Sequence, residues 1–246
     1  NNIYFIRSKI VYILRDKYRQ INRYVELMSS WFAKIDNTKK MQIVDMGSGK
    51  GYLTFALYDY LRNQLNLDVS ITGVELRGNL VDLCNGISSD CGFDNLQFIS
   101  KDINDFTSDE IDVIIALHAC DTATDLAIYK GLIAKAELIV CAPCCHKQVR
   151  KDMGVNETFN AITRHGIFEE RQAEMLTDAI RSLLMEREGY STKAFEFISN
   201  EHTRKNVMLV GRKLKSTGNT AAINLEIQNL KEAFKIERQE LEDLLA

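Results

Sequence analysis

Leu14, Tyr18, Ile21, Val25, Met28 and Phe32 recur at alternating steps of four and three, the apolar stripe of a long amphipathic helix. Arg15, Arg19 and Arg23 fall on a neighbouring stripe, facing either a partner or water. From residue 41 the period changes. The runs Met41–Asp45, Val69–Glu75, Leu96–Ile99, Ile111–Leu117 and Leu138–Ala142 read as buried strands, the fourth being continuously apolar, as a strand covered on both faces should be. Between them lie helical stretches: Tyr52–Leu61, with Leu53, Ala56, Leu57 and Tyr60 inward, then Leu80–Ser88 and Asp125–Ala134. Strands alternating with helices predict right-handed crossovers and a parallel sheet.

The later pattern differs. A long helix is expected from about Thr158 through Glu188, ended by Gly189 as C-cap. Two strand-like segments, Thr192–Ile198 and Asn206–Gly211, are close enough to pair as a hairpin. Beyond a Ser-Thr-Gly-Asn-Thr linker, Ile223, Ile227, Leu230, Phe234, Leu241 and Leu244 follow a heptad-like spacing broken at Glu237. That helix packs either on the same domain or on another subunit. The resulting division is an N-terminal helical extension (1–40), an α/β domain (41–215) and a C-terminal amphipathic helix (216–246).

Composition alters this picture little. A chain of 246 residues suits one α/β domain with additions. No apolar run reaches the length of a membrane span and no signal-peptide pattern is present, so a cytoplasmic protein is expected. The opening residues read like the interior of a longer chain. Six cysteines, two of them adjacent, do not form a secreted disulfide framework, which would be shorter and denser in cysteine. Charge is more informative. Residues 1–40 hold nine bases against three acids, a balance of +6, and the whole-chain net charge of −3 leaves −9 for the remainder. A basic arm on an acidic body suits a polyanionic partner, although a solvated helix face has the same composition.

The candidate chemistry begins at Asp45-Met-Gly47-Ser48-Gly49-Lys-Gly51, between the first strand and its helix. A dinucleotide loop requires G-x-G-x-x-G, and the third glycine position here is Tyr52. A P-loop requires G-x-x-x-x-G-K-[ST], and Lys50 is followed by Gly51. The pattern instead resembles the acidic-x-Gly-x-Gly-x-Gly signature of class I methyltransferases. It suits a sulfonium cofactor carrying an amino-acid moiety and no phosphates. Glu75, at the end of the second strand, stands where such folds place a carboxylate on ribose hydroxyls. Asp102, after the third, matches an acid near an adenine amino group, or alternatively caps the next turn.

Ligands of open α/β sheets bind beyond the carboxyl ends of the strands. The fourth strand ends in Leu117-His118-Ala-Cys120-Asp121, and the fifth in Cys141-Ala-Pro-Cys144-Cys145-His146-Lys147-Gln. His118 titrates near neutrality and suits a general base; a hydrogen-bonded loop histidine is the plainer reading. Asp121 suits the cap of the following helix. For the second loop, the spacing contains one C-x-x-C and no second ligand pair, so no metal site is expected. A cysteine nucleophile at Cys120 or Cys144 is one alternative. The preferred reading is a substrate-shaping loop with His146 and Lys147 polar and the cysteines packed. The segment Glu201–Asn206, with His202, is a further polar cluster beside the last strands.

Together the glycine loop, Leu-His-Ala-Cys-Asp-Thr-Ala-Thr-Asp and Ala-Pro-Cys-Cys-His-Lys-Gln resemble one group of class I S-adenosylmethionine-dependent methyltransferases. Its eukaryotic relatives were once called ribosomal RNA adenine dimethylase-like, and the core of a eukaryotic tRNA ribose methyltransferase is more distantly similar. The resemblance covers most of residues 16–213. It implies a Rossmann-like, seven-stranded, mostly parallel sheet with a C-terminal antiparallel hairpin, and S-adenosylmethionine as methyl donor. It also implies a cofactor site of Asp45, Gly47, Ser48, Gly49, Gly51, Glu75, Leu76, Asp102, Ile103, Leu117 and His118. Catalytic candidates are His118, Cys120, Asp121, Cys144 and His146. An amino-group methyltransferase would show Asn/Asp-Pro-Pro-Tyr/Phe after the fourth strand, where this chain has Leu117-His118-Ala119-Cys120. The expected function is methyl transfer to an acceptor whose leading class is RNA. A protein or small-molecule acceptor, or a catalytically silent cofactor-binding module, are the alternatives.

Overall fold

The computed structural model describes residues 21–32, 35, 39–108, 110–117, 119–154, 159–196, 207–215 and 218–246. His118, the Glu201–Asn206 cluster and the first twenty residues, with Arg15 and Arg19, lie outside them.

Seven strands form one sheet: β1 (Met41–Met46), β2 (Val69–Glu75), β3 (Leu96–Ser100), β4 (Val113–Ala116), β5 (Leu138–Cys141), β6 (Tyr190–Glu196) and β7 (Val207–Lys213). Their order is β3-β2-β1-β4-β5-β7-β6. The first five pair in parallel, and β7 runs antiparallel between β5 and β6. This is the Rossmann-like class I methyltransferase fold expected from the sequence. The order reverses between β1 and β4, so the crevice at their carboxyl ends is where such sheets bind ligands.

The helices are α1 (residues 21–32), α2 (Tyr52–Asp59), α3 (Gly78–Asp90), α4 (Thr122–Ile133), α5 (Lys147–Asp152), α6 (Asn160–Thr163), α7 (Gly166–Arg187), α8 (Thr220–Phe234) and α9 (Glu240–Leu244). Alternation along the strands divides the core into two layers. Met41, Ile43, Ile71, Val113, Ile115 and Val140 face Tyr24, Met28 and Phe32 of α1, Leu57 and Tyr58 of α2, and Val81 and Cys84 of α3. Val44, Met46, Ile114, Ala116 and Ile139 face the other way, onto Ala127, Ile128, Leu176, Ile180, Ile227 and Leu241.

The first helix packs on the sheet, and its Arg23 pairs with Glu26. The long helix expected from Thr158 is two: α6 stops at Thr163, and α7 begins after His165, whose extended backbone (φ −108, ψ 117) breaks the ladder. α2 is rotated from expectation. Thr54, Leu57 and Tyr58 are its buried residues, because Thr54 reaches Asp45 and the Tyr58 hydroxyl accepts the Asn95 N–H. It continues as one π turn, Tyr60–Gln64. The C-terminal segment docks on this same domain: Ile227, Ile236 and Leu241 belong to its core. Among the described residues no helix is long and apolar enough to cross a membrane.

Candidate donor site and thiol cluster

The glycine loop is built by backbone conformation. Gly47, Gly49 and Gly51 all have positive φ (74, 58 and 68), where a Cβ would crowd the following carbonyl. Gly51 also serves as the left-handed N-cap of α2, and a Cβ there would stand 3.0 Å from the rings of Phe55 and Phe98. Three of the loop amides point back to β2 and a fourth closes on the loop itself. Gly47 and Ser48 donate to the Val74 carbonyl, Gly49 to Glu75 Oε2 at 3.0 Å, and Gly51 to the Ser48 carbonyl. A phosphate cradle needs such amides free; these are committed within the protein.

Beside the loop opens a cleft of about 420 Å³, of a size usual for small-molecule sites. Gly47, Gly49, Glu75, Leu76, Asp102, Ile103 and Cys120 line it, as do Val74, Arg77, Lys101, Ala119, Ala123 and Leu126. Sequence reasoning missed the second group. Its members lie next to recognised positions in the chain or on α4, and carried no signal beyond that proximity.

Glu75 sits on the sheet's crevice edge with its carboxylate fully engaged. Oε1 accepts from the Arg77 backbone N–H and Nε at 3.0 and 2.8 Å, and Oε2 accepts from Gly49 and from Arg77 Nη2 at 3.3 Å. Arg77 holds the carboxyl below the usual carboxylate range, its side-chain hydrogen bond contributing most. Asp102 lines the cleft, and its Oδ1 accepts the Asn104 N–H at 2.8 Å in a local turn.

Asp45, by contrast, is withdrawn from the cleft. It faces α1 and α2, where Oδ2 accepts the Thr54 hydroxyl at 2.5 Å. Burial lifts its carboxyl to about 6, and the Thr54 bond partly offsets this. Ser48 also turns inward: its buried Oγ has no hydrogen-bond partner among the described residues and lies 2.9 Å from where a Cβ on Gly73 would be. Leu117 is buried in the layer beneath the site. These three positions shape the loop and its floor, while the lining falls to their neighbours.

The second group converges at the ends of β4 and β5. Cys120 Sγ lies 3.2 Å from Cys144 Sγ, and Cys144 Sγ 3.7 Å from Cys145 Sγ. Desolvation, reinforced by hydrogen bonds with the other two thiols, pushes the Cys144 thiol up to about 12. The expected division of this loop holds for Lys147, which is exposed, but not for His146. The cysteines reach solvent, Cys120 being exposed and Cys144 and Cys145 half-buried, whereas His146 is 3% exposed. Its Nε2 lies 3.4 Å from Asp178 Oδ1 without hydrogen-bond geometry. A polar His146 facing substrate is corrected: the turn into α5 directs the ring to α7.

Asp121 is a second correction. It precedes α4 but makes no side-chain cap bond. Its Oδ1 accepts the Gln148 N–H at 3.3 Å, tying the β4 loop to the β5 loop. Its backbone is strained (φ 54, ψ −123), and Arg181 Nη2 holds its carbonyl at 3.0 Å. Arg181, 1% exposed, also binds both oxygens of Asp125 and one of Asp178. Burial pulls the Arg181 pKa down, but these carboxylates outweigh it and keep the guanidinium charged. Gln239, just before α9, adds a bond to Asp125 Oδ1 at 2.8 Å.

Residues 16–152 match a family model described as a methyltransferase domain. The chain belongs to that family. The donor implied by this family and fold is S-adenosylmethionine, which carries no phosphates and so suits a loop whose amides are already committed. In overall structure the chain resembles a plantazolicin methyltransferase in complex with a triazolic analog and SAH (TM-score 0.50, 14% identity, 85% of this chain and 90% of that one). It also resembles the CMeT domain of a citrinin polyketide synthase (TM-score 0.50, 11% identity, 80% and 52%). Sequence relatives include the glutathione S-transferase C-terminal domain-containing proteins of Bos taurus (26% identity over 79% of this chain) and Homo sapiens (25% over 79%). The chain spans about a third of the length of those relatives.

Proposed function

We propose that S-adenosylmethionine lies along the cleft with its ribose hydroxyls on Glu75, its adenine beside Asp102 and Ile103, and its amino-acid end over Gly47 and Gly49. The observation that carries this reading is the Glu75 carboxylate, which lines the cleft at the carboxyl end of β2, next to β1, and is covered by an exposed side chain, Arg77. Leu76, 66% exposed, offers an apolar face for the adenine. Asp45 supports the loop from behind through Thr54. The donor supplies an electrophilic methyl group; the chain's own residues bind it, orient it and exclude water through Ala119, Ala123 and Leu126. The acceptor approaches from the Cys120 and Cys144 side, where the β4 and β5 loops are tied together by Asp121. Within this reading 41–215 is the catalytic domain, 1–40 an N-terminal extension and 216–246 a brace.

RNA is the acceptor class we favour. Support comes from the +6 balance of residues 1–40 and from the motifs shared with the adenine dimethylase-like group, in which we place the chain. Lys147 and Lys151 are exposed on α5. Arg150 adds less, because Glu169 and Glu170 hold its guanidinium at 3.0 and 2.6 Å.

Calorimetry with S-adenosylmethionine tests the donor site: the parent protein binds, Glu75→Ala does not, and absence of binding by the parent overturns the reading. Transfer of a radiolabelled methyl group to a lysate fractionated into RNA, protein and metabolites tests the acceptor. Label in the RNA fraction, with binding that weakens steeply as salt rises, is expected; label confined to protein or metabolites excludes RNA.

A further inference from the structure

Adjacent side chains on an extended chain point to opposite sides, yet the loop between β5 and α5 turns Cys144 and Cys145 toward one point. Cys120, from the end of β4, meets them there. The three Sγ atoms lie within 4.8 Å of one another, two of the separations being 3.2 and 3.7 Å. Simple packing of thiols does not require vicinal sulfurs to converge on a third. A disulfide would bring two sulfurs to about 2.05 Å and leave the third without a role. Thiolates around one zinc ion, with bonds of about 2.3 Å, stand about 3.8 Å apart, close to the spacing found here.

We propose that Cys120, Cys144 and Cys145 form a binding site for a soft, thiolate-seeking cation of the Zn²⁺ type at the edge of the donor cleft. Sulfur is the ligand such ions prefer over the oxygen donors that suit Mg²⁺ or Ca²⁺. Binding replaces three S–H bonds by three S–Zn bonds and releases three protons to solvent, leaving the group with a single net negative charge. Entry is open, since Cys120 is exposed and lines the cleft. Three sulfurs leave a fourth tetrahedral position, the arrangement used where a metal also meets water or substrate. The site rests on the thiol geometry and stands or falls separately from the donor reading.

The test uses the whole chain, reduced with a phosphine and stripped of metal by a chelator. Titration with Zn²⁺ against a competing chelator is expected to show one tight equivalent. Cys120→Ser and Cys144→Ser each weaken it by at least the ~10-fold that losing even a hydrogen-bonding partner of a metal ligand costs, and Cys91→Ser, in an exposed cysteine away from the cluster, leaves it unchanged. Co²⁺ in place of zinc gives thiolate-to-cobalt charge-transfer absorption. Calorimetry in buffers of different ionisation enthalpy reads the released protons. Less than one equivalent bound by the folded, reduced parent overturns the proposal, as does an affinity unaffected by Cys144→Ser. Should the serine variants not fold, X-ray absorption on the zinc-loaded parent decides: three sulfur neighbours at about 2.3 Å support the site, and a shell with fewer overturns it.

Discussion

Asp45 has a charge that the fold resists. Its carboxyl is raised from 3.8 to about 6 by burial, so the folded chain holds that proton more tightly than the unfolded one. The sign follows directly. The contribution to stability is present below pH 3.8 and lost as pH rises through about 6. Asp45→Asn should therefore stabilise the cofactor-free protein at neutral pH by roughly 2–3 kcal/mol and flatten its denaturation profile across that window. Urea unfolding at pH 5 and pH 7.5 measures this, and an unchanged difference between the two pH values would refute the assignment. Glu75 behaves oppositely. Arg77 lowers its pKa, so its contribution is present at neutral pH and lost on acidification. Because Arg77 occupies the same carboxylate that the proposed site offers to ribose, Arg77→Ala should tighten S-adenosylmethionine binding several-fold by calorimetry. A large loss of affinity would instead make Arg77 part of the binding surface. Asp45, Glu75 and the three glycines were legible in sequence because their spacing from strand ends is local. Thr54 and Arg77 were not, since a threonine in a helix and an arginine in a loop carry no periodic signal.

Elements were legible where periodicity was strong and less so where a single long-range bond set their rotation. Five strands were recognised as buried apolar runs and the last two as strand-like segments, while α2 buries Thr54 and Tyr58 beside the expected Leu57. Close approach between layers is another matter that sequence did not signal. Gly73, within β2, faces Phe98 so closely that a Cβ would stand 2.4 Å from its ring. That ring is fixed by Phe55, 5.3 Å away between centroids, and has little room to yield. Gly73→Ala is accordingly expected to destabilise the protein by about 1–3 kcal/mol through overpacking, and to disturb Ser48 in the glycine loop. Chemical denaturation together with cofactor titration checks both effects; a neutral outcome would show that Phe98 can move aside.

At the scale of the molecule, Arg181 joins parts of the chain far apart in sequence: Asp121 and Asp125 at the β4–α4 junction, Asp178 on α7, and through Asp125 the Gln239 that precedes α9. Arg181→Met leaves two buried carboxylates without a counter-charge, which costs about 3–5 kcal/mol in comparable buried pairs. It also releases the strained Asp121 backbone beside the cleft. Urea denaturation should show that loss, and adding Asp125→Asn should recover part of it; full additivity would mean that the residues do not act together. The sequence by itself determined the order of elements, the parallel sheet, the glycine loop and the carboxylate at the end of β2, because each is written in local periodicity and in glycines required at positive φ. Only the tertiary structure decided that the C-terminal helices close this same domain, that His146 turns inward, and that Cys120 meets Cys144 and Cys145. Those outcomes depend on contacts between residues tens of positions apart, which no local pattern encodes.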